Sequence, residues 1–165
     1  MTPTLFISIA VDPALSLLPR VMDTPEARAM VVAICLQESR IAHRRQIGGP
    51  ARGYAQFERN GGCAEVLSHR ASAAHATRIC DRLDIVPSTS AVYAALEYHD
   101  VLAVVFARLL LWTLPEALPV RGAHEESWRQ YIKAWKPGRP HRATWNDLFD
   151  QAWQVVDATR KGTHP

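Results

Sequence analysis

The chain has 165 residues, of which 48% are hydrophobic and 21% are charged, a composition typical of one soluble globular domain with a sizeable core. Its formal net charge of +3 at pH 7 suits a polyanionic partner without specifying one. The arginines are scattered rather than gathered in one stripe, which disfavours nucleic-acid binding. No apolar run reaches the roughly 18 residues that a membrane span requires. We therefore expect a monomer with no transmembrane segment.

A short apolar run, Leu5–Val11, lies near the amino terminus and lacks the basic residues that begin a secretory signal. A signal sequence is therefore disfavoured, and the run is predicted to form a short strand or an extended segment. We expect a single domain over residues 1–160, followed by a flexible polar tail over residues 161–165.

The three cysteines, Cys35, Cys63 and Cys80, form neither a CxxC pair nor a Cys/His ligand pattern. The histidines also lack the spacing of metal ligands. We therefore expect no disulfide framework, no metal site and no cofactor. Cys35 lies in an apolar helical run and is interpreted as a buried small hydrophobic residue.

The strongest helix signal begins at Thr24, which can cap a helix whose first position is Pro25. Apolar residues then recur at helical spacing, and the helix should end near Ser39 or Arg40. Residues 41–62 are rich in glycine and predict loops with a small hairpin.

The rest of the chain favours helices. Ser88 can cap one helix, and Asp100 can cap the most apolar one, which should be central and buried because it is apolar nearly all round. A further helix is predicted over about His124–Trp135, and Thr144 can cap the last. The sequence thus predicts a mainly α fold of about seven helices, with a small Gly-rich loop or hairpin insertion after the first long helix.

Glu38 stands at the end of the first long helix, whose inner face is otherwise apolar. A carboxyl group at this position lies at the mouth of the core and should be partly desolvated. Because desolvation disfavours the charged form, the pKa of Glu38 is expected to be raised, as a general acid working near neutral pH requires. The alternative interpretation is a solvated glutamate at a helix end.

The pair Glu38-Ser39 and the later segment Ala51–Gln56 (ARGYAQ) form a pattern with a known counterpart. They resemble the signature of soluble lytic transglycosylases and goose-type lysozymes, a helix-ending Glu-Ser, a loop, and then Gly-Ala-x-Gly-Leu-Met-Gln. The interval of 18 residues between Glu38 and Gln56 is also similar to the spacing in that signature.

The resemblance covers about residues 24–62 and shows two departures. Pro50 replaces the first glycine of the signature, and Tyr54-Ala55 replaces Leu-Met. The Tyr-Asn-Ala-Gly segment that transglycosylases usually carry downstream is not evident. The resemblance implies a lysozyme-like α+β fold in which Glu38 is the catalytic acid.

The same resemblance implies that Ser39, Gly53, Tyr54 and Gln56 contact the substrate. Gly53 lets the backbone approach a sugar or take a positive φ, although it can also be a simple turn glycine. Tyr54 offers a flat apolar face with a polar tip, which suits a sugar, but it can equally pack in the core. Gln56 can bind an N-acetyl group or hold the loop next to the acid.

Glu58 is the candidate for a second catalytic carboxylate. In goose-type lysozymes an Asp follows the matching Gln by two residues, as Glu58 follows Gln56. Inverting glycosidases keep two carboxyl groups roughly 6.5–9.5 Å apart so that a water molecule fits between them. The alternative is a solvated surface pair of Glu58 with Arg59.

A second, less specific resemblance links the chain to phage and prophage lysozyme-like proteins. It consists of Trp128–Tyr131 (WRQY) and Trp135–Pro140 (WKPGRP). A short basic lysozyme-like domain with no convincing signal and no wall-binding module also suits a phage or prophage endolysin of a Gram-negative host, which is held in the host cytoplasm until release and then acts at the bacterial wall.

Together these patterns predict a muramidase that cleaves the MurNAc–GlcNAc bond, with peptidoglycan glycan strands as its partner. A lytic transglycosylase that forms 1,6-anhydro products is the first alternative. The presence of Glu58 and the missing Tyr-Asn-Ala-Gly segment favour hydrolysis. A non-catalytic lysozyme-like phage structural or wall-binding protein and a helical nucleic-acid module are the remaining alternatives.

Overall fold

The structure, a computed structural model, describes residues 1–161, most of which are helical. In chain order the helices are α1 (Pro3–Phe6), α2 (Asp12–Ser16), α3 (Pro25–Ser39), α4 (Ala64–Ser68), α5 (Ala73–Arg82), α6 (Thr89–Leu96), α7 (Asp100–Trp112), α8 (His124–Trp135) and α9 (Arg142–Lys161). The prediction of a mainly α fold is confirmed. Of the predicted tail 161–165, Lys161 ends α9, and residues 162–165 lie outside the described residues.

The apolar run near the amino terminus is helical, so the prediction of a strand or extended segment is wrong. A π-helical turn, Ile7–Val11, joins α1 to α2 without a break. The buried side chains recur in adjacent pairs about four residues apart, namely Phe6, Ile7, Ala10, Val11, Ala14 and Leu15. That spacing is the period of a helix, and it places one continuous face against α7 and α9.

Helix α3 begins and ends where the sequence predicts. The Thr24 hydroxyl accepts a hydrogen bond from the backbone N–H of Ala27, and Pro25 is the first helical residue. The helix ends at Ser39 because Arg40 adopts the left-handed conformation, with φ +56°. Most of α3 is buried against α9 and α7, and only its first and last turns reach the surface.

The three cysteines are buried and free. Cys35 is 1% exposed within α3, which confirms its interpretation as a small hydrophobic residue. Burial raises the pKa of the Cys63 thiol to about 12, and it raises that of Cys35 further. These thiols therefore stay protonated and act as packing groups.

Helix α7 is the central helix, and its residues from Leu102 to Leu111 are all buried. Its cap is His99 rather than the predicted Asp100, since Nδ1 of His99 accepts the backbone N–H of Leu102. The Asp100 carboxylate instead accepts two hydrogen bonds of 2.7 Å from the Arg44 guanidinium. None of the helices within residues 1–161 combines the length and apolar character that a bilayer crossing demands.

The predicted hairpin in residues 41–62 is reduced to two isolated antiparallel bridges, Arg45 with Arg52 and Arg52 with Phe57. The described part of the chain, residues 1–161, contains no strand. Gly53 and Gln56 both have positive φ, at +72° and +51°, and they turn the backbone sharply between Arg52 and Phe57. Extended pairing cannot continue through such a turn, which is why the β part of the expected fold is missing.

The last two helices place a further loop beside the end of α3. Helix α8 has the predicted bounds, whereas α9 begins at Arg142, two residues before the predicted cap Thr144. The Thr144 hydroxyl donates instead to Oε1 of Gln37, at 2.9 Å, and Nε2 of Gln37 donates to the carbonyl of His141. These bonds fix the loop between α8 and α9 against the carboxyl end of α3.

Candidate active site

A cleft of about 670 Å³ opens beside the last turn of α3. One wall is the end of α3, a second is the segment from Gln56 to Glu65, and a third is the end of α8 with the turn after it. Glu38 and Glu58, the two predicted catalytic carboxyl groups, both line this cleft.

Glu38 is half-buried at the base of the cleft. Burial raises the pKa of its carboxyl group, a hydrogen bond from Tyr131 lowers it and the negative charge of Glu58 raises it, and together these effects place it at about 7. Near neutral pH a large fraction of Glu38 is therefore protonated and able to donate a proton. The expected upward shift is present, and the alternative of a solvated helix-end glutamate does not describe this residue.

Tyr131 is the direct partner of the acid, and its hydroxyl donates to Oε1 of Glu38 at 2.5 Å. Its ring is 2% exposed and stacks on Trp145, with ring centroids 4.7 Å apart and 15° between the planes. Trp128 packs against both rings. Burial and the charge of Glu38 raise the pKa of Tyr131 well above its ordinary value, so the phenol remains a donor.

Glu58 is exposed at the rim of the cleft and precedes the helical turn Arg59–Cys63. Its backbone carbonyl accepts from the N–H groups of Gly61 and Cys63, which fixes the start of that turn. No ion pair between Glu58 and Arg59 occurs among the described residues. The Glu58 carboxylate is therefore open to solvent and shares the cleft with Glu38.

Ser39 and Tyr54 do not line the cleft, so its geometry gives no support to their predicted contact with the substrate. The Ser39 hydroxyl is buried and lies 2.7 Å from the carbonyl of Tyr54 and 3.0 Å from that of Cys35. The Tyr54 ring is 3% exposed and packs edge-on against Phe6 and under the Arg44 guanidinium. The core-packing alternative for Tyr54 is the one that holds, and Ser39 ties the loop to α3.

Gln56 lines the cleft but uses its amide group to hold the loop. Its Nε2 donates to the carbonyl of Gly53 at 2.7 Å and to that of His43 at 3.2 Å. Gly53 does not line the cleft, which gives no support to its predicted sugar contact. The turn requires glycine at this position, because a β-carbon on residue 53 would lie 2.8 Å from the backbone oxygen of Leu96.

Changing Gly53 to Ala should lower the free energy of unfolding by roughly 2–4 kcal/mol, because the left-handed φ and the contact with the Leu96 carbonyl both oppose a side chain. Urea denaturation measures the change. Gly122→Ala is the matched control, since Gly122 has φ +78° with nothing within 4 Å of its β-carbon position, and it should lose only about 1 kcal/mol. Equal losses in the two variants would show that the close approach to Leu96 has no cost.

The residues that sequence reasoning missed are on α8. Tyr131 and Trp135 stand one helical turn apart and both line the cleft. The Trp135 indole N–H donates to the carbonyl of Ala55 at 2.8 Å and its ring packs on Phe57, so α8 is bound to the loop that follows α3. The four-residue spacing between Tyr131 and Trp135 is the sequence signal that places both side chains on one face of α8.

Scans of the chain against family models, curated proteins and solved structures return no match. Within residues 1–161 no group of three or more His, Cys, Asp or Glu side chains is placed to hold a metal ion. The chemistry the site itself offers is proton donation from Glu38, with a second carboxylate, Glu58, in the same cleft.

Proposed function

We propose that the protein is a muramidase that cleaves the MurNAc–GlcNAc β-1,4 bond of peptidoglycan. The observation that carries this proposal is the half-buried Glu38, whose pKa is raised to about 7 at the base of an open cleft. A carboxylic acid of this kind is what protonation of a glycosidic oxygen requires near neutral pH. The resemblance of residues 24–62 to lysozyme and transglycosylase signatures supports the choice of substrate.

In the proposed reaction Glu38 gives its proton to the glycosidic oxygen while the bond from that oxygen to the anomeric carbon breaks. Positive charge then develops on the sugar ring in an oxocarbenium-like transition state. Because Tyr131 donates to Oε1 of Glu38, the proton to be transferred belongs on Oε2. The leaving sugar departs with a new hydroxyl group, and Glu38 is left as a carboxylate.

The fate of the ring cation depends on Glu58. In the hydrolytic route a water molecule attacks the anomeric carbon from the opposite face and transfers its proton to Glu58, so the configuration is inverted. In the transglycosylase route the 6-hydroxyl of the same sugar attacks the anomeric carbon, its proton passes to the Glu38 carboxylate, and a 1,6-anhydro end forms. The open position of Glu58 in the cleft favours the hydrolytic route.

Digestion of purified sacculi followed by mass spectrometry tests the proposal. Hydrolysis yields reducing muramyl ends, and transglycosylation yields ends lighter by one water. A protein that binds sacculi and clears no permeabilised cells would be the non-catalytic lysozyme-like relative, and the proposed activity would then be wrong.

Glu58→Gln should lower the rate of hydrolysis by roughly 10²-fold, the size of a typical general-base contribution, and should raise the share of 1,6-anhydro ends. The product masses from digested sacculi give both quantities at once. Arg59→Gln is the control, because it alters the neighbouring exposed charge outside the cleft and should leave rate and products unchanged. If both variants behave like the wild type, Glu58 takes no part in the reaction.

A further inference from the structure

The turn after α8 holds a basic residue where helices usually end in glycine or asparagine. Lys136 directly follows the last residue of α8 and is its C-cap, and it adopts the left-handed conformation with φ +49°. Its side chain lines the same cleft as Glu38, and Nζ donates to Oε2 of Glu65 at 3.2 Å. A charged side chain is thus kept in the cleft at a backbone position that disfavours side chains.

A second cation lies on the same wall. Arg139 is exposed, lines the cleft and makes no ion pair among residues 1–161. Both cations line the same cleft as Glu38, and neither forms an ion pair with the Glu38 carboxylate among residues 1–161.

The ion pair of Lys136 with Glu65 is weak enough to exchange partners. The two side chains are 69% and 34% exposed, and pairs of this exposure are strongly screened by water and salt. Two carboxylates, Glu58 and Glu65, lie on the wall of the cleft formed by residues 56–65, and both repel an anion. Lys136 and Arg139 are the only lysine or arginine residues that line the cleft among residues 1–161.

We propose that Lys136 and Arg139 bind a carboxylate carried by the sugar next to the scissile bond, and that this carboxylate replaces Glu65 as the partner of Lys136. The inference rests on the proposed function and names the substrate more narrowly. The site then prefers a glycan with anionic substituents, such as the lactyl-linked peptides of a muramyl sugar, over the same glycan with those charges removed.

The test compares soluble peptidoglycan fragments that keep their free carboxylates with the same fragments after chemical amidation. Binding is measured by calorimetry on the folded Glu38→Gln chain, in which turnover is prevented. We expect the free-carboxylate fragments to bind roughly three- to ten-fold more tightly at low salt. Equal dissociation constants for the two forms would overturn the inference.

Lys136→Asn in the same background should remove most of that preference, because asparagine tolerates the left-handed backbone but carries no charge. Arg40→Asn is the matched control, since Arg40 also ends a helix in the left-handed conformation and lies outside the cleft. It removes the same charge from the chain and should leave the preference intact. A preference that survives in Lys136→Asn, or is lost equally in Arg40→Asn, contradicts the assignment.

Glu65→Gln tests whether the Glu65 carboxylate opposes binding of the substrate carboxylate. With its internal partner removed, Lys136 is free for the substrate, and the free-carboxylate fragments should bind roughly two-fold more tightly. Weaker binding in this variant would refute the exchange. The proposed function is decided separately, by whether the wild type cleaves sacculi, so carboxylate-independent binding with normal cleavage overturns this inference alone.

Discussion

Glu38→Gln should abolish cleavage of sacculi, with a fall in kcat of roughly 10²–10⁴-fold, while the fold survives. Glutamine has nearly the same shape, and its side-chain oxygen can still accept the hydrogen bond that Tyr131 donates to Oε1. What it lacks is a proton that it can give to the glycosidic oxygen. The release of reducing ends from purified sacculi measures the loss.

Stability measured against pH gives an independent check on the same variant. The pKa of Glu38 is about 7 in the folded chain against a model-peptide value of 4.5, so the folded state binds the proton more tightly. Its contribution to stability is therefore fully present below pH 4.5 and is lost as the pH rises towards 7. The wild type should lose on the order of 2–3 kcal/mol over this range, and Glu38→Gln should not show that loss.

Glu116→Gln is the matched control, because Glu116 is exposed, pairs with Lys133 and lies outside the cleft. This variant should cleave at the wild-type rate. A folded Glu38→Gln protein that retains full lytic activity would remove Glu38 from the reaction, and with it the proposed mechanism.

The position of Glu38 was predictable because it depends on local signals. Thr24 and Pro25 set the start of α3, the apolar period sets its buried face, and both are written within one stretch of sequence. These signals place Glu38 at the last turn of a buried helix, where partial desolvation follows directly.

The partner of Glu38 was not predictable in the same way. Tyr131 lies 93 residues away along the chain, and only the packing of α8 on the loop after α3 brings the two side chains together. The Tyr131 ring is held in place by stacking on Trp145, and no local sequence pattern predicts that contact. An aromatic face at four-residue spacing indicates a buried helix, and it does not say which ring reaches a carboxylate.

The burial of Tyr54 depends on a contact with the amino-terminal helix. The motif around it predicts a loop next to the acid but does not say which side chains face the cleft. Positive φ at Gly53 and Gln56 turns the Tyr54 ring away from the cleft, and it meets Phe6 on the amino-terminal helix. An extended segment around Phe6 would offer no helical face for this ring, whereas the helix observed there does.

Tyr131→Phe should both slow cleavage and move its pH dependence. The hydrogen bond from Tyr131 lowers the pKa of Glu38, so its removal should raise that pKa. Since the reaction needs protonated Glu38, activity in the wild type should decline as the pH rises through about 7, and this decline should begin at higher pH in the variant. At the optimum, kcat should fall roughly 10-fold because Oε1 is no longer held in place.

Initial rates on sacculi between pH 5 and 9 give both effects, and Tyr98→Phe is the control because the Tyr98 side chain is exposed and remote from the cleft. The direction of the shift separates two roles for Tyr131. A residue that only fills space beside Trp145 would lower the rate without moving the alkaline decline. A decline that moves to lower pH would mean that the phenol stabilises the protonated carboxyl group, which is the opposite of the arrangement at Oε1. A shift to higher pH is therefore the result expected if Tyr131 lowers the pKa of Glu38 and so affects proton transfer.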